Sequence, residues 1–138
     1  MKKISATIIT LNEEEKIRRC IESLNGIVDE IIVVDSLSTD ATKSICEEFG
    51  IRFIEQKWLG YSEQKNLANR LATNDWILSI DADEALSEEL KKSILKLKES
   101  ETDDNIVFSF NRLNNYCGKW IHHSGFYPDK KIRIWNRN

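Results

Sequence analysis

One stretch decides the fold of this chain: Trp76-Ile-Leu-Ser-Ile-Asp-Ala-Asp-Glu84, an apolar run that ends abruptly in acidic residues. Such a run is typical of a strand buried on both faces, and in open α/β sheets ligands collect outside the carboxyl ends of such strands. Alternation places Asp81 and Asp83 on one side of the strand and turns Glu84 away. Because two close carboxylates repel, one interpretation is a Mg²⁺ or Mn²⁺ ion shared with a substrate diphosphate. The other is a solvated acidic turn that caps the next helix, since an isolated D-x-D motif fits both.

Composition limits the classes of protein that this chain can represent. Its 138 residues are 41% hydrophobic, which is enough for one folded domain and excludes global disorder. A net charge of −3 with interspersed signs gives no overall footprint for nucleic acid. The three cysteines, Cys20, Cys46 and Cys117, form no C-x-x-C pair, so we expect buried thiols in a reducing cytosol. No apolar stretch approaches the roughly 18 to 20 residues that span a bilayer, and Met1-Lys2-Lys3 leads directly into a strand instead of a signal peptide.

Strand and helix patterns alternate along the first hundred residues. Strands are predicted at 4–11, 30–35, 51–54 and from Trp76. Asn12 caps and Gly26 ends the first predicted helix, and Thr39 or Asp40 caps and Gly50 ends the second. The third helix is predicted at 62–73, and Ser87 caps the fourth. This βαβαβαβα order predicts a mostly parallel, doubly wound sheet with helices on both faces.

The last third of the chain has a different character. A polar loop at 99–105 precedes two runs, 106–110 and 131–135, that alternate like half-exposed strands of a mixed sheet. Residues 112–138 contain six Lys or Arg residues and a single acidic residue, Asp129, with aromatic residues interleaved. This basic aromatic tail is interpreted either as a surface for RNA, a sugar or a phosphorylated lipid, or as a solvated strand pair over a small core.

Four motifs then occur in a specific order along the chain. They are Ala-Thr-Ile-Ile-Thr-Leu-Asn-Glu-Glu at 6–14, Ile-Val-Val-Asp-Ser-Leu-Ser-Thr-Asp-Ala-Thr at 32–42, Gln-Lys-Asn at 64–66 and Asp-Ala-Asp-Glu at 81–84. In this order they resemble the nucleotide-sugar glycosyltransferases of family 2, which have the Rossmann-like GT-A fold. The segment 110–137 resembles the branch that builds the core of bacterial lipopolysaccharide, including its β-1,4-glucosyltransferases.

The resemblance implies a metal-dependent, inverting hexosyltransferase that uses Mn²⁺ or Mg²⁺ and moves a sugar from a UDP-sugar donor to a cell-envelope glycan or lipopolysaccharide core acceptor. It implies a place in the cytoplasm or at the cytoplasmic face of the inner membrane. Asp83 is the implied direct metal ligand, and Asp81 faces the ribose or a metal-bound water. The implied nucleotide-binding residues are Thr10, Asn12, Glu14, Asp35, Ser36, Lys65, Asp81 and Ala82. The expected acceptor-binding residues are Lys119, Trp120, His123, Tyr127 and Lys130.

Each implied nucleotide role has a structural alternative. Asn12 is also a plain helix cap, Asp35 also a loop brace, and Lys65 also a solvated side chain. One motif departs from the family pattern, because the second strand ends in Asp35-Ser-Leu-Ser38 where many members have Asp-Asp-Gly-Ser. This difference weakens the implied base contact of Ser36.

The general base is the second departure from the family pattern. An acidic residue of a later loop usually serves as the base in inverting members, and we expect that residue to lie beyond Asn138, the last position of this sequence. Within the chain only Asp129, in a Tyr-Pro-Asp turn, is a weak candidate. We therefore expect residues 1–138 to be a single nucleotide-sugar-binding domain truncated at its carboxyl end.

Other classes fit the motifs less well. Phosphatases of the haloacid-dehalogenase type have D-x-D on the first strand and Thr or Val two residues later, whereas Ala85 stands there. A response-regulator receiver requires a Lys after a late strand, and nucleotidyltransferases have a Gly-rich first loop that the 10–13 stretch lacks. A nucleotide-sugar-binding module without transferase activity is the main rival interpretation.

Overall fold

The computed structural model describes residues 1–101, 108–111, 116–120 and 130–137. Strands and helices alternate over the first hundred residues, and three strands follow. In chain order they are β1 Ile4–Thr10, α1 Ile17–Leu24, β2 Glu30–Asp35, α2 Thr42–Glu48, β3 Arg52–Glu55, α3 Tyr61–Leu71, β4 Trp76–Ser79, α4 Glu88–Glu99, β5 Phe108–Asn111, β6 Tyr116–Trp120 and β7 Lys130–Asn136. None of the described helices has the length and apolarity needed to cross a bilayer.

All the described strands belong to one sheet with the order β3-β2-β1-β4-β7-β5-β6. The pairings among β1 to β4 are parallel, whereas β7 pairs antiparallel with both β4 and β5, and β5 pairs antiparallel with β6. The prediction of a parallel α/β sheet with mixed strands at its carboxyl-terminal end is confirmed. Because β1 and β4 are neighbours, the turn after β4 lies beside the end of β1.

Two apolar clusters cover the two faces of the sheet. On one face, β1 packs against α1 and α4 through fully buried side chains such as Ile8, Ile21 and Ile94. On the other face, Ile77 of β4 packs with Ala68 of α3. Helices therefore cover both faces, as the sequence predicts, and the carboxyl ends of β1 to β4 lie at one edge because these strands pair in parallel.

Local signals set several helix ends. The Ser87 hydroxyl accepts the Leu90 N–H at 3.1 Å and caps α4, as predicted. Gly50 follows α2 with a φ of 65°, a left-handed conformation that glycine adopts without steric cost.

The predicted cap of α1 is wrong. That helix begins at Ile17, and Asn12 lies outside it with a φ of 52°. The side chain of Asn12 instead accepts the Thr39 N–H at 2.8 Å, so a contact between two loops replaces the expected contact within one.

Candidate active site

The carboxyl ends of β1 and β4 and the loop after β3 surround a cavity of about 500 Å³. This edge of the sheet is where ligands bind in open α/β folds. The residues that line the cavity are Ile9, Thr10, Leu11, Glu13, Trp58, Tyr61, Asp81, Ala82 and Asp83. The sequence predicted four of these as site residues, namely Thr10, Asp81, Ala82 and Asp83, and did not predict the other five.

A tight turn after β4, the acidic turn of residues 81–84, brings three carboxylates together. The strand ends at Ser79, the Glu84 N–H donates to the Asp81 carbonyl at 2.9 Å, and Glu84 Oε1 accepts the Asp81 N–H at 2.9 Å. As a result, carboxylate oxygens of Asp81, Asp83 and Glu84 all lie within 4.8 Å of one another. The prediction that Glu84 points away is wrong, because strand alternation stops before the acidic residues begin. Oxygen donors at this spacing fit a hard cation such as Mn²⁺ or Mg²⁺.

Charge around the turn is strongly negative, and a lysine lies close to it. The Lys65 ammonium is 3.4 Å from Asp81 Oδ1 and 3.5 Å from Ser79 Oγ, so this lysine faces the site from α3. Burial raises the pKa of Glu13, and the charge of Asp83 adds to that increase. An added divalent cation would therefore relieve repulsion among these groups.

Two of the three cysteines predicted to be buried, Cys20 and Cys46, are buried in the structure. Cys20 is buried with its Sγ 3.6 Å from the Asp81 carbonyl oxygen, and burial followed by the charge of Glu84 raises its pKa. Burial, with a further contribution from Asp35, raises the pKa of Cys46 to about 12. Both side chains therefore stay protonated and inert, as expected for packing residues.

Asp35 braces the loop that follows β2. It is buried, and its Oδ1 accepts the hydroxyls of Thr10 at 2.7 Å and Ser38 at 2.6 Å, while Oδ2 accepts the Ser38 N–H at 2.8 Å. The next residue, Ser36, is also buried, and its hydroxyl accepts a hydrogen bond from Gln64 at 3.0 Å. The ends of β1, β2 and α3 are thereby tied together.

Two further predicted nucleotide residues connect the loop after β1 to the loop after β2. In addition to the Asn12 contact, Glu14 Oε2 accepts the Ala41 N–H at 3.0 Å. In return, the Glu14 N–H donates to Asp40 at 3.2 Å, and Asp40 also accepts the Thr42 N–H where α2 begins. These side chains shape the edge of the site through contacts with neighbouring backbone.

The residues predicted for the acceptor belong to the last third of the chain. Lys119 and Trp120 are on β6, and Lys130 begins β7, the strand that pairs with β4. Two acceptor residues and the weak base candidate lie outside the described residues, namely His123, Tyr127 and Asp129. Their roles stay predictions.

The general base is predicted to lie beyond the residues that the structure describes. Asn138, beyond which we expect the base, is itself outside the described residues, and β7 ends two positions earlier at Asn136. Among the described residues, the carboxylates of Asp81, Asp83 and Glu84 lie within 4.8 Å of one another, an arrangement that fits metal ligands better than a general base. A base beyond Asn138 therefore stays a prediction.

Comparison with known proteins places the chain in a family. Residues 5–138 match the sequence model of Glycosyl transferase family 2. The chain belongs to this family. Among curated family 2 relatives, a protein of Rickettsia felis described as an uncharacterized glycosyltransferase is 54% identical over 107 residues, which cover 78% of this chain and 38% of the relative. A lipopolysaccharide core biosynthesis glycosyltransferase of Rhizobium meliloti is 40% identical over 99 residues, covering 68% of this chain and 36% of the relative. The chain thus spans well under half the length of these relatives.

Solved structures support the same fold. A mannosyltransferase of Pyrobaculum calidifontis, solved with GDP-Man and Mn²⁺, superposes with a TM-score of 0.70 over 98% of this chain and 44% of its own, at 20% identity. Glucosyl-3-phosphoglycerate synthase of Mycobacterium tuberculosis, solved with Mn²⁺, UDP-Glc and phosphoglyceric acid, is 31% identical, with a TM-score of 0.50 over 61% of this chain and 35% of its own. The predicted GT-A architecture of this family 2 chain is therefore confirmed.

Proposed function

We propose that this chain is the donor-binding core of an inverting glycosyltransferase that uses a UDP-sugar and a divalent cation. The observation that carries the proposal is the turn after β4, which brings three carboxylates within 4.8 Å of one another beside a cavity of about 500 Å³. The arrangement has the two parts that a nucleotide sugar requires, namely oxygen ligands for a cation on the diphosphate and an adjacent space for an organic group.

Asp83 and Asp81 are the proposed cation ligands. Asp83 is exposed at the cavity, so its carboxylate is open to an incoming ion, and Asp81 is half-buried beside it. The mycobacterial synthase that is 31% identical was solved with Mn²⁺ and UDP-Glc, which supports a cation of this type. When bound, the cation acts as a Lewis acid that stabilises the charge of the departing diphosphate.

Other residues of the site are proposed to contact the donor or to hold its binding loops in place. Lys65 carries its ammonium beside Asp81, where it is placed to pair with a phosphate oxygen once a donor is bound. Thr10 and Ala82 line the cavity, and the proposed contribution of Asn12, Glu14, Asp35 and Ser36 is to hold the nucleotide-side loops in shape through the hydrogen bonds described above. Donor binding is therefore assigned to a rigid edge of the sheet.

For the acceptor, we propose a lipopolysaccharide core or related cell-envelope glycan, met at the cytoplasmic face of the membrane. The support is the name of the Rhizobium meliloti relative, together with the six cationic residues and interleaved aromatic residues of the tail. Arginine and lysine pair with phosphate groups, and aromatic rings stack on sugars. The proposed contacts are Lys119, Trp120, His123, Tyr127 and Lys130.

The second candidate is a nucleotide-sugar-binding domain without transferase activity of its own. Its motivation is that Asp129, the base candidate in this sequence, lies in a Tyr-Pro-Asp turn where aspartate is ordinary. We expect residues 1–138 to bind donor and to transfer no sugar, with slow donor hydrolysis still measurable. Transfer to an acceptor by these residues alone would place the base within the chain and would make Asp129 the first residue to mutate.

Calorimetry of UDP binding tests the proposed donor site. We expect binding with Mn²⁺ or Mg²⁺, loss of binding with EDTA, and loss in Asp83→Ala. Asp75→Ala is the matched control, because Asp75 is an exposed aspartate that directly precedes the other end of the same strand. Equal UDP affinity in EDTA, or an unaffected Asp83→Ala variant, would contradict the role of the cation.

A further inference from the structure

Exposed apolar side chains concentrate at the edge of the sheet that holds the cavity. Of the seven large hydrophobic residues that are exposed in the described parts of the chain, five follow β1, β2 or β3. These five are Leu11, Leu37, Trp58, Leu59 and Tyr61. Three of them, Leu11, Trp58 and Tyr61, line the cavity itself, where exposed apolar side chains point to a ligand.

Two of these residues form an aromatic wall, which we define as Trp58 and Tyr61. Their ring centroids are 6.5 Å apart at an interplanar angle of 68°, an edge-to-face arrangement, and both rings line the cavity. Their exposed fractions of 51% and 56% leave ring surface open to a ligand. The Lys65 ammonium, which lies 5.0 Å from the Tyr61 ring centroid, is also the cation beside Asp81. The aromatic wall and the acidic turn therefore share one cavity and one lysine.

The loop that carries the wall is held by a buried glutamine. Gln64 is fully buried, its Oε1 accepts the Leu59 N–H at 3.2 Å, and its Nε2 donates to the Gln56 carbonyl at 3.2 Å. Gly60 joins this loop to α3 with a φ of 102°, a conformation open to glycine and strained for other residues. These contacts hold the backbone of the loop that carries the two rings.

The polar side chains nearby are already engaged with the protein. Thr10 donates to Asp35, Asn12 accepts from Thr39, and Ser36 accepts from Gln64. Much of the remaining cavity lining away from the acidic turn is apolar, from Ile9, Leu11 and the aromatic wall. Such a surface suits a flat heterocycle better than a sugar, because a base stacks over its whole ring face, whereas a sugar stacks only through C–H groups and carries hydroxyls on every side that need partners.

We propose that the aromatic wall of Trp58 and Tyr61 stacks on the nucleobase of the donor. This rests on the proposed function, and it names the residues that hold the base end of the nucleotide sugar. Base–aromatic stacking depends on the ring face that every base presents. The assignment therefore separates two subsites, the acidic turn for the diphosphate with its cation and the aromatic wall for the base.

The test compares a ligand that has a base with one that lacks it. With Mn²⁺ present, UDP, UDP-glucose and inorganic pyrophosphate are titrated into wild type, Trp58→Ala, Trp58→Phe and Tyr61→Ala. Leu95→Ala is the control, because Leu95 is an exposed apolar residue on α4 that does not line the cavity. We expect Trp58→Ala to weaken UDP binding by about 5- to 150-fold, with a similar direction for Tyr61→Ala, and to leave pyrophosphate affinity unchanged. Trp58→Phe retains a ring and should keep most of the affinity.

Three outcomes would overturn the stacking role. Unchanged UDP affinity in both alanine variants would show that the rings do not contact the base. An equal loss for pyrophosphate would show that the rings only support the shape of the cavity. A loss for UDP-glucose that far exceeds the loss for UDP would assign the rings to the sugar. If wild type binds neither UDP nor UDP-glucose with Mn²⁺, the proposed function fails together with this inference. If wild type and both alanine variants bind UDP equally well, the proposed function stands and only the stacking role of the aromatic wall is refuted.

Discussion

Replacing Asp35 by alanine is expected to destabilise the protein strongly. The buried carboxylate accepts three hydrogen bonds, from the Thr10 hydroxyl, the Ser38 hydroxyl and the Ser38 N–H. Alanine leaves three donors without their acceptor, namely the buried Thr10 hydroxyl and the half-buried hydroxyl and N–H of Ser38. An unsatisfied buried donor costs about 1–3 kcal/mol, and the two Ser38 donors cost less because water reaches them in part, so the expected total loss is about 2–5 kcal/mol.

Asparagine at the same position is expected to cost much less. Its amide oxygen can still accept the Ser38 N–H, and its NH₂ group can donate to the two hydroxyls after they rotate. The remaining loss is that of charge-assisted hydrogen bonding, about 1–2 kcal/mol. The difference between Asp35→Ala and Asp35→Asn therefore measures how far the loop depends on satisfied donors.

Urea unfolding followed by circular dichroism measures both changes. With an m-value of about 2 kcal/mol per M, Asp35→Ala should lower the midpoint by roughly 1–2.5 M and Asp35→Asn by less than about 1 M. Asp75→Ala, at an exposed aspartate, is the control and should leave the midpoint nearly unchanged. A loss below about 1 kcal/mol for Asp35→Ala, or equal losses for both Asp35 variants, would refute this account of the loop.

Three further predictions concern charge. Lys65→Met should raise the affinity for Mn²⁺ alone by about 1.5- to 5-fold, because the lysine ammonium 3.4 Å from Asp81 no longer competes with the metal ion. The same variant should bind UDP with Mn²⁺ more weakly than wild type. Calorimetry that finds weaker Mn²⁺ binding and tighter UDP binding would contradict this prediction. Although partial burial opposes it, hydrogen bonds from Ile4 N–H and Lys98 hold the pKa of Asp29 below its usual 3.8. The stabilising contribution of the Asp29 carboxylate is therefore complete above pH 3.8 and falls as the pH drops through the lower pKa of the folded state. Between pH 6 and pH 3, the urea midpoint should fall less in Asp29→Asn than in wild type. The last concerns three tail residues, Lys119, Lys130 and Lys131. Changed together to Glu in the full-length protein, they should weaken binding of an anionic lipopolysaccharide core acceptor, most at low salt, with UDP affinity within about twofold of wild type; full acceptor affinity at low salt would show that the acceptor binds elsewhere.

The fold was predictable because its signals are local. Runs such as Ile31-Ile32-Val33-Val34 are apolar on both faces, and Ser87 and Gly50 mark helix ends by their own chemistry. The order of strands and helices then leaves few topologies for a parallel sheet. Asn12 failed as a predicted cap because its partner, Thr39, is 27 residues away and only the folded sheet brings them together.

The site was predictable where residues sit at strand ends and not where loops fold back. Thr10, Asp81, Ala82 and Asp83 meet at one cavity because parallel strands end at one edge. Glu84 joins the carboxylates through a turn that strand alternation does not describe. The aromatic wall lies in a loop, where periodicity carries no information, although Trp58 and Tyr61 on either side of Gly60 were an available signal for an exposed ring pair near a backbone bend.

The position of β7 between β4 and β5 has a consequence for how the chain folds during synthesis. Until β7 emerges, β4 pairs only with β1 and presents an open, apolar strand edge, and Ile134 and Trp135 are missing from the apolar clusters on the two faces. Open strand edges of this kind template pairing with other chains. The edge of β4, the strand that leads into the acidic turn, is therefore covered only after residues more than fifty positions later have been made.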